Sequence, residues 1–257
     1  MKPLDKVVKD IKKKAIKIIA GLTNCNYNHV LSIVRACMKS NITYVDIAAE
    51  PSLVSFIKQK FDFSIPICVS GLEAGKLYNS VLAGADLIEV GNYSCLYSEG
   101  KIFHPLEILS VVKKIRDLLP NIYLTVTIPY IFDLEEQINL IHQLNIYKVD
   151  LIQTEGSESN LLTRDQVDSV KFLATSFQTI ANTYELSKLI DVPIISSSGL
   201  SLMTACIPFM MGASGIGIGK AVTSLKSEHD MVNYISKVKK VISKFYNNVE
   251  FSLTSTM

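Results

Sequence analysis

Short apolar runs and amphipathic helical stretches alternate from end to end of this 257-residue chain. The runs read as strands at 16–21, 43–48, 66–70, 86–91, 122–128, 149–155, 193–198 and 215–219. Helical periodicity fills the intervals, as over 28–40 and 133–145. In the last stretch, 228–245, Met231, Ile235, Val238, Ile242 and Phe245 fall on one face. Strand–helix–strand repetition implies a parallel sheet with crossover helices. Eight such units close a barrel, and the length suits the roughly 250 residues typical of a (βα)8 barrel. The expected fold is therefore α/β, a single (βα)8 barrel over 1–257, with an N-terminal helix within 1–15 closing its bottom. Leu4, Val7, Val8 and Ile11 share a helical face that suits this plug, and membrane-surface binding is the alternative for the same face. One run, Phe177–Asn182, competes for a ninth strand. Read as helix, it aligns Phe177, Ile180, Ala181 and Tyr184 on a stripe that Leu186, Leu189 and Ile190 extend, with Thr175 or Ser176 as cap. The helical reading is adopted because it leaves eight strands with a helix after each.

Hydrophobic residues make up 48% and charged residues 19%, which suits a sizeable core. With 26 basic and 24 acidic residues, nothing electrostatic points to nucleic acid as a partner. No apolar run approaches the ~20 residues of a membrane span. The charge-rich N-terminus has no signal-peptide core. The five cysteines form no C-x-x-C pair and read as free thiols of a reducing compartment. The four histidines are scattered, with no metal-ligand spacing, so no metal site is expected from them.

Two segments are rich in small residues: Pro193-Ile-Ile-Ser-Ser-Ser-Gly199-Leu-Ser201 and Gly212-Ala-Ser-Gly-Ile-Gly-Ile-Gly219-Lys-Ala221. By strand count they are the ends of strands 7 and 8. Loops at those positions commonly hold a phosphate group in this architecture. Ser198, Gly199, Gly217, Gly219 and Lys220 are the expected phosphate-binding residues, the glycines by letting backbone approach a ligand and Lys220 as a point charge. Inward glycines that merely relieve crowding are the alternative.

Side chains alternate along a strand, so parity separates barrel interior from helix-facing side. Ile47 and Val45 suit the helices, which sends Tyr44, Asp46 and Ala48 inward. The same rule turns Lys17, Cys68, Ser70, Glu89, Thr125, Thr127, Gln153 and Glu155 inward. Asp46, Glu89 and Glu155 give three carboxylates in a space that packing alone would fill with branched aliphatics. Buried charge is unfavourable unless paired, so a catalytic role is expected. Lys17 pairs with Glu89 or Asp46, or else serves as a Schiff-base amine. Tyr93, Tyr97 and Phe103 make the segment after strand 4 apolar, as a lid over a ligand or as packing over the barrel mouth.

With these stretches in view, the chain resembles the family of hypothetical chloroplast reading frame 23. The matching residues include Lys17-Ile-Ile-Ala-Gly-Leu22, Tyr44-Val-Asp-Ile-Ala48, Ala83-Gly-Ala-Asp-Leu-Ile-Glu-Val-Gly-Asn92, Ile152-Gln-Thr-Glu-Gly156 and Gly212-Ala-Ser-Gly-Ile-Gly-Ile-Gly219. The resemblance implies a plastid-encoded protein of the chloroplast stroma. It carries over no catalytic residue. Lys220 stands where the family usually has a small residue. At the level of fold alone, the last two strands also resemble those of phosphate-binding barrels such as sugar-phosphate epimerases.

The resulting expectation is a barrel that binds a small phosphorylated metabolite at strands 7 and 8. Asp46, Glu89, Glu155 and Lys17 are the candidate catalytic residues for isomerase, epimerase or lyase chemistry, with Asn92, Thr127 and Gln153 orienting the substrate. No cofactor is demanded, although the three carboxylates suit Mg²⁺. The alternatives are an FMN oxidoreductase with the flavin beside Tyr93 or Tyr97, and a non-catalytic sensing or assembly barrel.

Overall fold

Residues 3–11, 14–61, 65–91, 93–97, 100–101, 103–156 and 168–254 are described by the computed structural model. Eight parallel strands close into a barrel in sequential order. They are β1 (Ala15–Ile19), β2 (Tyr44–Ala48), β3 (Ile67–Gly71), β4 (Leu87–Val90), β5 (Tyr123–Ile128), β6 (Leu151–Thr154), β7 (Ile194–Ser197) and β8 (Gly215–Ile218). Each lies within, or within a residue of, an expected run.

The N-terminal helix α1 (Pro3–Ile11) precedes β1, and the main crossover helices are α2 (Tyr27–Lys39), α3 (Pro51–Lys60) and α4 (Ala74–Leu82). A short α5 (Ser94–Tyr97) comes before α6 (Pro105–Leu118), and α7 (Leu134–Ile146) and α8 (Asp168–Ser187) follow. The last are α9 (Ile207–Met210), α10 (Lys220–Thr223) and α11 (Glu228–Thr254). Local chemistry marks several helix starts. Asn26 accepts the His29 N–H ahead of α2, and Asp133 and Glu136 form a reciprocal capping box on α7. Pro51 and Pro105 open α3 and α6, where a missing N–H leaves no hydrogen bond unmade.

The parity rule holds around the barrel. Val45, Ile47, Val69, Ile88, Val90, Leu124, Val126, Ile152, Ile216 and Ile218 lie in the apolar layer between strands and helices. Inside, Ala15, Tyr44, Cys68, Leu87, Leu151 and Ile195 form a separate apolar floor, and Val7 and Ile11 of α1 are buried in it. The plug is therefore present, with Val8 turned partly to solvent.

Helix α8 corrects one expectation. Phe177–Asn182 is helical, but its buried face is not the aromatic stripe. Phe177 is 67% exposed, and Leu173 and Tyr184 also face outward. Thr175, Ser176, Thr179 and Thr183 are buried instead, beside Leu186, the expected stripe's fully buried member. Thr183 Oγ1 lies 2.8 Å from the Thr179 carbonyl, 2.9 Å from Ser196 Oγ and 3.0 Å from Thr154 Oγ1. Hydroxyls on β6 and β7 thus draw the helix's hydroxyls inward, outweighing the apolar pattern. Thr175 and Ser176 sit inside the helix, so neither is its cap.

Arg116 on α6 binds the bottom of β5 and β6 together. It donates to the carbonyls of Tyr147 (2.8 Å) and Ile122 (2.6 Å) and to Asp150 Oδ2 (2.9 Å), which in turn accepts the Leu124 N–H (2.8 Å). Losing a charged donor to several half-buried acceptors is expected to destabilise Arg116→Ala by about 2 kcal/mol, seen as a lower urea midpoint with an unchanged m-value.

Candidate functional site

Above the apolar floor, the barrel interior turns polar. Lys17 of β1 is fully buried and points across the barrel. Its ammonium pairs with Glu89 Oε2, approaches Asp46 Oδ2 at 3.1 Å and donates to Gln153 Oε1 at 2.9 Å. Glu89 Oε1 accepts from Thr127 Oγ1 (3.0 Å) and Gln153 Nε2 (2.8 Å), while Ser70 Oγ donates to Asp46 Oδ1. Six strands, β1 to β6, thus contribute to one network around one cation. Burial alone would strip Lys17 of its proton, but Asp46 and Glu89 outweigh it and hold the amine charged, well above its ordinary range. Burial pushes Asp46 up to about 6, against the pull of Lys17 in the other direction. Beneath the network, burial keeps the Cys68 thiol and the Tyr44 phenol protonated.

This geometry separates the two readings of Lys17. A charged amine held by three side-chain oxygens is an ion pair, not a free nucleophile. Thr127 and Gln153 spend their polar groups on Glu89 and Lys17. Asn92 lies outside the described residues.

Glu155 stands apart from this network. It follows β6 at the C-terminal rim and is 2% exposed. Its Oε1 accepts from Tyr97 Oη at 2.7 Å and from the Tyr130 N–H at 3.3 Å, and the Tyr93 N–H supports the same carboxylate. Burial still dominates and pushes Glu155 up to about 7. Tyr97 belongs to α5, so the segment after β4 packs over the barrel mouth. Its ring meets Tyr130 edge-on at 4.9 Å, and Tyr93 stacks against Phe103 at 4.6 Å with a 48° tilt. Gly91 lets this segment leave the barrel at φ +139°, where a Cβ would lie 2.4 Å from Thr127 Cβ.

The small-residue rim lies beside Glu155. Register pairs Thr154 with Ser196 and Ser197 with Gly217. Glu155 is therefore level with Ser197, and β7 lies between it and Gly217. A Cβ on Gly217 would stand 2.8 Å from Ser197 Oγ, so a side chain there would fill the inner wall. Ser198 (φ +84°) and Gly199 (φ +66°) turn the chain sharply after β7. Gly219 directly precedes α10, whose first residue, Lys220, is exposed. The structure brings Ser198, Gly199, Gly217, Gly219 and Lys220 to one end of the barrel, on adjacent strands. His29 ties the β1 side to this rim through Nε2, 3.0 Å from the Thr223 carbonyl.

The groups thought to share a metal do not converge. Among the described residues, no cluster of three or more His, Cys, Asp or Glu is placed to hold one. The Lys17 ammonium lies between Asp46 and Glu89, and Glu155 turns to Tyr97. A flavin fits no better beside Tyr93 and Tyr97, because the tilted and edge-on rings leave no flat slot between them. A cavity of about 350 Å³ beside Tyr93 is lined by Leu72, Val90, Phe103, Ile108 and Val111, with Lys101 and Glu107 at its edge. Another of about 370 Å³ lies between α2 and α11, bounded by Arg35, Met38, Lys39, Phe61 and Glu228. Both sit on the barrel's flank, not over the β7–β8 rim.

Nothing in the chain's periodicity couples Tyr97 to Glu155, and Tyr130 carried no signal at all. The aromatic content of the segment after β4 was the one available sign.

Relatives and solved structures agree with this architecture. "Uncharacterized protein ycf23" of Cyanidium caldarium is 52% identical over 90% of this chain and 91% of its own. Its namesake in Antithamnion sp. is 40% identical over 96% of this chain and 93% of its own. The catalytic subunit of dihydroorotate dehydrogenase B (NAD(+)) of Pyrococcus horikoshii is 23% identical over 67% of this chain and 61% of its own. Among solved structures, tryptophan synthase subunit alpha of Legionella pneumophila superposes with a TM-score of 0.64 at 14% identity, covering 95% of this chain and 99% of that one. The 3-hexulose-6-phosphate synthase of Salmonella typhimurium gives 0.62 at 13% identity, covering 90% and 99%. Such low identities speak for the barrel alone. Residues 3–248 match the model of the family described as "Protein of unknown function (DUF561)", and with the ycf23 relatives this shows that the chain belongs to that family.

Proposed function

We propose that the protein binds a small phosphorylated metabolite at the β7–β8 rim and moves a proton on it with Glu155. One observation carries the reading. A carboxyl buried at the rim, poised near pH 7 and level with the glycine-lined strand ends, suits a general acid–base at physiological pH. Ser198, Gly199, Gly217, Gly219 and Lys220 would hold the phosphate, whose binding energy keeps the reacting carbon beside Glu155. Lys17, Asp46, Glu89, Thr127 and Gln153 form the charged layer beneath and set the field of the site. Asn92 stays a candidate substrate contact. Isomerase, epimerase or lyase chemistry fits a single carboxyl of this kind. The names of neighbours such as 3-hexulose-6-phosphate synthase lend support to a phosphorylated ligand. A plastid setting, and the stroma within it, belongs to the same proposal and draws on the ycf23 relatives.

A phosphate-ester panel read by thermal shift tests it. At ligand concentrations of 100 times Kd, linkage stabilises by about 2.7 kcal/mol, which raises Tm by several degrees. Lys220→Ala is expected to weaken that response. A panel with no stabilising member would sink the proposal. An FMN oxidoreductase is the second reading, favoured only by the remote dehydrogenase match. Absorbance near ~450 nm in the purified protein, or FMN binding by the colourless form, would support it; the packing of Tyr93 and Tyr97 stands against it.

A further inference from the structure

Helix α8 turns its apolar side to solvent. Hydroxyls on β6 and β7 hold its threonines inward, so Leu173, Phe177 and Tyr184 stand outside in a row at helical spacing. The exposed Ala181 lies between the two aromatic rings. The row does not end with the helix. Leu189 follows just after it, and Ser187 Oγ lies 2.9 Å from the Met211 carbonyl, which brings α9 and its exposed Met210 beside the C-terminal half of α8. That neighbour is a single turn of four residues, so the outer helical layer is thin there. Leu173, Phe177, Tyr184, Leu189 and Met210 are each between 43% and 67% exposed. At on the order of 100 Å² apiece they make a patch of about 500 Å², near the upper limit for a monomer without a partner. Leu82, Leu106 and Ile146 are also exposed, but they stand singly at the ends of α4, α6 and α7, as isolated surface residues commonly do.

We propose that this face of α8 docks against a second copy of the chain, with the two α8 helices antiparallel across a two-fold axis. The row is complementary to itself in that sense of pairing. Its midpoint falls between Ile180 and Ala181, and Phe177 and Tyr184 lie equally far on either side. A two-fold axis through the midpoint therefore sets Phe177 of each copy against Tyr184 of the partner subunit. Leu173 likewise meets the aliphatic stem of Lys188 of the partner subunit. Within its own chain the Lys188 ammonium is held 3.4 Å from the centre of the Tyr184 ring and 3.6 Å from Glu185. A parallel pair would instead bring two Lys188 ammoniums together. Ala181 at the axis lets the helices approach to the ~8–10 Å of close packing. Two such patches bury about 1,000 Å², the least that a specific interface needs, so the dimer is weak, with a Kd in the micromolar range. A net charge of +2 sets little repulsion between the copies.

Sedimentation equilibrium of the full chain from about 1 to 300 µM spans that range. The wild type is expected to pass from monomer to dimer. Phe177→Glu should weaken the dimer by about 100-fold or more, because the axis repeats each substitution at a second place. At dilution its melting temperature should equal the wild type's, since the ring it removes is outside the fold. Leu106→Glu, on the exposed start of α6, should leave the dimer unchanged. Tyr184→Lys should also weaken it, and the double variant Phe177→Glu with Tyr184→Lys should regain about 10-fold over Phe177→Glu, because the antiparallel pair sets the new charges face to face. A wild type that stays monomeric overturns the proposal. So does a dimer indifferent to Phe177→Glu, or one weakened equally by Leu106→Glu. A Phe177→Glu protein that melts lower at dilution assigns the ring to the fold and overturns it as well. A double variant no better than Phe177→Glu overturns the antiparallel pairing and the proposal with it.

Discussion

Lys17→Met is expected to destabilise the protein by about 3–5 kcal/mol, the range for removing one partner of a buried ion pair. Asp46 and Glu89 would then share a dry interior with no cation between them. At roughly 2–4 °C per kcal/mol for a chain of this size, the melting temperature should drop by on the order of 10 °C. The deficit should shrink as pH falls towards 6, because Asp46, freed of the Lys17 charge that draws its ionisation down, takes up its proton at a higher pH in the variant than in the wild type. A triple variant, Lys17→Met with Asp46→Asn and Glu89→Gln, should recover much of the loss, because it removes the stranded charges as well. Urea unfolding of the three proteins checks this. A single variant within about 1 kcal/mol of wild type would mean that the network is not the ion pair described.

Glu155→Gln should have the opposite effect on stability at alkaline pH. Unfolded, Glu155 ionises near its ordinary value of 4.5; folded, it holds its proton to about 7. Between those values the folded state binds more protons. The stability this group contributes is therefore complete below pH 4.5, declines as pH rises, and is gone above about 7. At pH 8 the ionised, buried carboxylate is unfavourable by about 3 kcal/mol, from a shift of a few units at 1.36 kcal/mol each. Glutamine keeps an acceptor for Tyr97 and the Tyr130 N–H and carries no charge. The variant should thus match wild type at pH 4 and exceed it by about 3 kcal/mol at pH 8. Once a substrate is in hand, the same change should lower turnover by about 10²–10⁴-fold. A stability difference that does not vary with pH would show that Glu155 titrates normally.

The strands were readable because their two faces differ in kind. Ile216 and Ile218 alternate with Gly215 and Gly217, and one side of such a strand can only meet helices. The same alternation sent Lys17, Asp46, Glu89, Gln153 and Glu155 inward. It could not say which of them meet. Asp46 and Glu89 converge on Lys17 from strands two and four, a pairing across the barrel set by side-chain length and strand stagger. Glu155, with the same inward parity, was caught by Tyr97 and Tyr130 from outside the sheet. The face of α8 was misread for a related reason. Its threonines look like poor core residues until Ser196 and Thr154 supply hydroxyls for them to meet.

Val7 and Ile11 shape the life of the charged layer above them. With Tyr44, Cys68, Leu87, Leu151 and Ile195 they make an apolar stopper, and a stopper passes neither ions nor protons readily. The barrel is thus a vessel with one mouth. Whatever exchanges with Lys17, Asp46 and Glu89 must come down from the rim, past the carboxyl of Glu155.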